Sequence, residues 1–94
     1  MLNFEKIAKY LISSFQPGDM YKVIKPIELG FGSNIYNPNP KNYIKIKSGE
    51  IIKYDGESSN GNVWFYYEGK RGKIEAGSIS NLIDRGSLVL HKKH

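Results

Sequence analysis

The stretch Val63-Trp-Phe-Tyr-Tyr-Glu-Gly-Lys-Arg-Gly-Lys-Ile74 decides how the chain folds. Five consecutive aromatic or β-branched residues favour a strand, because such side chains pack well on a pleated surface. Side chains alternate along a strand, so Val63, Phe65 and Tyr67 share one face and Trp64 and Tyr66 the other. Val and Phe are the better core residues, which turns Trp64 and Tyr66 outward. The Gly-containing segment Glu68–Gly72 then reads as a tight basic turn, with Lys70 and Arg71 at its tip and Lys73 on the strand that returns.

Outward from this stretch the period of two persists. Residues 20–25, 43–47, 51–57, 73–75 and 86–91 read as short strands, separated by turn signals at Ser48-Gly49-Glu50 and Asn60-Gly61. Residues 30–42, rich in Gly, Asn and Pro, read as one long loop, and residues 76–84 as a single helical turn. The N-terminal segment differs. Phe4, Ile7, Ala8, Leu11 and Phe15 recur at helical spacing, which predicts an amphipathic helix over 2–15, ended by Pro17-Gly18. The expected architecture is mainly β: one domain spanning 1–94, with that helix preceding a five-stranded barrel over 20–91.

Composition narrows the chemistry. The 94 residues contain no cysteine, so disulfides, thiolate metal sites and cysteine nucleophiles are excluded. Fourteen Lys and Arg against nine Asp and Glu leave a net charge of +5, spread over the chain rather than clustered. Such a balance permits nucleic-acid binding without requiring it. No apolar run is long enough for a membrane span, and charges at Glu5, Lys6 and Lys9 interrupt the N-terminal segment, so no membrane association and a cytoplasmic location are expected.

Beyond this, the order of pieces resembles a Src-homology-3-type (SH3-like) small barrel, in a bacterial or phage-like variant. The resemblance covers about residues 20–91 and rests on the long first loop, Gly49-Glu50 in the following turn, Trp64, Gly72 and the short helical turn at 78–82. It implies a binding module. The departures are specific: the aromatic start of the peptide-binding members is replaced by Met20-Tyr-Lys-Val-Ile-Lys-Pro26. Residues 75–83 also lack the family's Pro and Tyr, so recognition of proline-rich peptides is not implied. Trp64, with Tyr21 and Tyr36, carries over.

Each candidate site has a plainer reading beside it. Trp64 and Tyr66 face a partner, or else lie beneath the N-terminal helix. Lys70, Arg71 and Lys73 contact phosphates beside stacked bases, or else form a solvated hairpin tip. Phe31, Ile35 and Tyr36 meet a partner from the long loop. Gly30-Phe-Gly32 has no third Gly and no following helix, so it is no dinucleotide fingerprint. Asp55 and Glu57 read as turn residues. His91 and His94 read as part of a frayed tail. No catalytic arrangement, metal spacing or cofactor motif is present. The expected function is a small non-enzymatic module that binds a protein partner. The Lys-, Ile- and Asn-rich composition suits a phage or mobile-element inhibitor or adaptor of a host protein. A nucleic-acid-binding barrel is the alternative, and a glycan-binding module a third.

Overall fold

The computed structural model describes residues 15–34, 36–75 and 77–94. The N-terminal helix expected over 2–15 and the side chain of Ile35 lie outside the described residues. What is described is mainly β: seven antiparallel strands and one short helix. The strands are β1 (Met20–Val23), β2 (Ile27–Phe31), β3 (Asn42–Ile46), β4 (Ile51–Glu57), β5 (Val63–Tyr67), β6 (Lys70–Ile74) and β7 (Leu88–Lys92); helix α1 spans Ile79–Asp84.

They form one sheet in the order β3-β2-β6-β5-β4-β1-β7, open at β3 and β7. The five-stranded closed barrel is therefore corrected to a seven-stranded open sheet. The strand not expected is β2, at the entry to the segment read as a loop, and it pairs with β3, which matches the expected strand 43–47. Ile27, Leu29 and Phe31 alternate toward the core, and Ile27 to Phe31 pair in register with Ile46 to Asn42. Pairing supplies partners for backbone groups that a loop would leave to water. Only about ten residues between these strands remain irregular.

The core is built from the inward positions of every strand. Val23, Leu29, Ile46, Val63 and Phe65 are fully buried, with Ile79 and Leu82 of α1 beside them. Tyr21 and Tyr54 meet edge to face at 6.3 Å, and Tyr54 tilts against Phe65 at 6.0 Å. Burial pushes both phenols up to about 12. Ser78 caps α1 by accepting from Asn81 N at 3.1 Å, and Glu57 Oε1 accepts from Ile79 N at 2.6 Å. Glu57 thus anchors the helix to β4.

The basic turn is also corrected. Glu68 and Gly69 both have positive φ, 50° and 77°, as a two-residue hairpin turn requires. Tyr67 therefore pairs with Lys70 across the turn, and Lys70, Arg71 and Lys73 all lie on β6. Lys70 and Arg71 are exposed on the sheet rather than at a hairpin tip, and Lys73 is buried.

The C-terminal residues are tied down rather than frayed. Asp19, fully buried, accepts from Lys93 Nζ at 2.7 Å, His94 N at 2.9 Å and Gln16 N at 3.1 Å. Burial alone raises the Asp19 carboxyl. The hydrogen bonds from Lys93, His94 and Gln16, with the charge on Lys93, outweigh it and hold the group below its ordinary value of 3.8. This carboxylate's contribution to stability is thus complete above the unfolded value and is lost as pH falls through the lower folded one. Urea midpoints of the wild type should therefore drop more steeply than those of Asp19→Asn between about pH 5 and about pH 2. Parallel profiles for the two proteins would contradict this role for Asp19.

Candidate functional site

Register places four strands' outward residues in one row. Tyr43 on β3 faces Gly30 on β2, Gly30 faces Lys73 on β6, and Lys73 faces Trp64 on β5. A second row carries Lys53, Tyr66 and Arg71. The aromatic strand alternates as its parity predicts: Val63 and Phe65 are fully buried, Trp64 is half-buried and Tyr66 is exposed.

Gly30 explains why the loop after β2 lies on this face. A Cβ at Gly30 would stand 2.5 Å from Pro40 Cγ and 3.2 Å from Tyr43 Cε1. The bare backbone therefore makes room for Pro40 and the Tyr43 ring. Two residues earlier, Pro38 O accepts from Lys73 Nζ at 2.5 Å. Within the loop, Asn34 Oδ1 accepts from Tyr36 N at 2.9 Å and Asn37 N at 2.7 Å, an Asx-type turn. Tyr36, at 91 % exposed, projects from this internally bonded turn.

Trp64 is the centre of the arrangement. The Arg71 guanidinium carbon lies 4.0 Å from its ring centroid and Lys73 Nζ lies 5.6 Å away. Both distances suit cation–π attraction, the Arg contact the stronger. Asp55 Oδ2 accepts from Arg71 Nε at 2.6 Å and holds the guanidinium in place. Beside the ring is a pocket of about 320 Å³. Ser33, Asn34 and Pro38 line it from the loop, and Ser58, Asn60 and Asn62 from the β4–β5 turn. Trp64, Arg71 and Lys73 complete it.

The expected site residues thus divide. Trp64, Tyr66 and Arg71 come together on one face, with Tyr36 on the loop beside it. Tyr21 is 1 % exposed and Phe31 8 %, so both are core residues rather than contact residues. The Phe31 ring lies so close to Gly72 that a Cβ there would meet its Cε1 at 2.8 Å. Lys73 is 5 % exposed and donates to Pro38 O, so it is a pocket residue rather than an exposed surface cation. Lys70 is exposed on the same strand. Asp55 and Glu57 form no carboxylate pair: one holds Arg71, the other α1. The Asn and Ser lining of the pocket escaped the sequence reading. Its members lie far apart in the chain, and Asn60-Gly61 reads as turn chemistry alone.

Among the described residues no three His, Cys, Asp or Glu side chains gather where a metal ion could sit. No described helix is long and apolar enough to cross a membrane. No protein-family model, curated protein or solved structure matches the chain.

The Arg71–Trp64 contact has a direct optical readout, since Trp64 is the single tryptophan. Arg71→Ala should increase acrylamide quenching of its emission. Stability should fall by no more than about 1 kcal/mol, because Arg71 is partly exposed and its ion pair is screened. Unchanged quenching would mean that Arg71 does not cover the ring.

Proposed function

We propose that this domain is a non-enzymatic binding module that recognises a protein partner through the outer face of β4–β6 and the adjoining loop. One observation carries the reading: Trp64, with a cation held over its ring, shares its face with the exposed Tyr66, and the adjoining loop carries the exposed Tyr36. Aromatic residues and Arg are the types enriched at protein interfaces, and a rigidly held ring loses little entropy on binding. A hairpin-like excursion before the Gly49-Glu50 turn, the Trp-bearing strand, Gly72 packed under Phe31, and α1 before the last strand support an SH3-like relationship. The small size and Lys-, Ile- and Asn-rich composition support a phage or mobile-element inhibitor or adaptor of a host protein.

A nucleic-acid platform is less well supported. Bases stack on open aromatic faces, and here Arg71 lies over Trp64 while Asp55 holds it there. Lys73 is buried, which leaves Lys53 and Lys70 as exposed cations beside the aromatic strand.

Two experiments test the reading together. The immobilised chain and its Trp64→Ala variant, both checked for folding by circular dichroism, are compared for capture of protein. Truncating an interface Trp costs about 2 kcal/mol or more, so the variant should bind about 30-fold more weakly. Mixed-sequence oligonucleotides, titrated at low and physiological salt, should give no saturable change in Trp64 emission. Equal capture by both proteins would overturn the proposal. So would saturable oligonucleotide binding that falls steeply with salt, which would make the face a nucleic-acid surface.

A further inference from the structure

The pocket beside Trp64 has an unbalanced wall. Lys73 contributes a side chain only 5 % exposed. Its ammonium has three N–H donors and, among the described residues, makes one hydrogen bond, to Pro38 O at 2.5 Å. Glu75 Oε1, at 3.9 Å, is beyond hydrogen-bond distance. Arg71 offers five donors and commits Nε to Asp55. Two cations with donors to spare therefore border one small pocket, and among the described residues no Asp or Glu lines it. The other polar walls are Asn and Ser, which suit hydrogen bonding but neutralise nothing.

Glu75 and Asp55 offset part of the charge on Lys73 and Arg71, but at 3.9 Å Glu75 takes no hydrogen bond from Lys73, so N–H donors of both cations stay available at the pocket. An anionic oxygen delivered into the pocket would engage them through charge-assisted hydrogen bonds from Lys73 and Arg71. Volume limits the ligand. About 320 Å³ lies at the small end for ligand sites and holds one side chain with its flanking backbone. Tyr36, bonded to the pocket residue Asn34, and Tyr66, two residues from Trp64, supply aromatic anchors beside it.

We propose that this pocket is an anion-recognition site that takes the carboxylate side chain of an Asp or Glu presented by the protein partner. The proposal rests on the protein-binding reading above. The carboxylate oxygens accept from Lys73 Nζ and the Arg71 guanidinium, while Asn34 and Asn60 hydrogen-bond the flanking peptide groups. An exposed acidic residue becomes a requirement in the partner, and the chain's net charge of +5 assists its approach.

The test is a nuclear magnetic resonance titration of the full ¹⁵N-labelled chain, whose single Trp gives one indole N–H signal. Three probes are used at constant ionic strength: a capped Gly-Gly-Glu-Gly-Gly peptide, its Gln counterpart, and inorganic phosphate. The Glu peptide should shift the Trp64 indole and Asn60 side-chain signals saturably. The Gln peptide should bind at least about tenfold more weakly, as should the Glu peptide to Lys73→Met and Arg71→Gln. Lys47→Gln, on an exposed turn, should behave as wild type. Equal responses to Glu and Gln peptides would overturn the proposal, as would undiminished binding by either pocket variant that remains folded. Saturation by phosphate with the Glu peptide silent would overturn the carboxylate assignment. A protein partner lost with Trp64→Ala but kept by Lys73→Met and Arg71→Gln would overturn the pocket while leaving the protein-binding reading intact.

Discussion

The site depends on one interaction: the Lys73 ammonium, nearly closed off from water, donating to the carbonyl of Pro38 beside the ring of Trp64. It joins three things that the chain order keeps apart. Lys73 is fixed by β6, Trp64 by its cross-strand pairing on β5, and Pro38 belongs to the loop after β2. Without that bond, the loop would be held by Pro40 seated over Gly30 and by Lys41 N–H donating to Phe31 O at 2.8 Å. With it, loop and sheet present a single surface of aromatic rings and amides. Preorganisation of this kind favours binding because little remains to be ordered when a partner arrives.

The charges on the same face are arranged by the same logic. Asp55 sits on β4 where Arg71 can reach it, and in doing so directs the guanidinium over Trp64. Glu57, two residues on, is turned to the opposite task of anchoring α1. Tyr67, at the end of β5, donates to Glu50 Oε2 at 2.8 Å, and that bond raises its phenol to about 12. The Gly49-Glu50 turn is thereby fastened to the aromatic strand. Polar side chains spaced widely in sequence thus fix the positions of the few aromatic groups that stay accessible.

Much of this architecture is legible in the residues. Alternation in Val63–Tyr67 assigns Trp64 and Tyr66 to the outer face, and Asn60-Gly61 and Ser48-Gly49-Glu50 mark real turns. Residues 43–47 read as a strand, but its partner Ile27–Phe31 is harder to read, because Pro26, Gly30 and the following Asn-Pro repeats are breakers by local propensity. Their pairing is a tertiary outcome: Gly30 is bare to admit Pro40, a reason visible only once the loop has folded back. Resemblance and the loop reading of 30–42 place Tyr21 and Phe31 at the surface, yet each occupies an inward strand position. The burial of Lys73 and the docking of Lys93 and His94 on Asp19 depend on contacts across 35, 74 and 75 residues. Neither composition nor periodicity encodes such distances.

Lys73 locks the loop onto the aromatic face. Amide hydrogen exchange of wild type and Lys73→Met, compared residue by residue, tests it most directly. Exchange at Tyr36, Asn37 and Lys41 should be faster in the variant, with the core amides of β4 and β5 as protected as before. Unchanged protection in the loop would contradict the lock, and would leave the Gly30–Pro40 contact and the Lys41–Phe31 bond as the elements that hold this surface together.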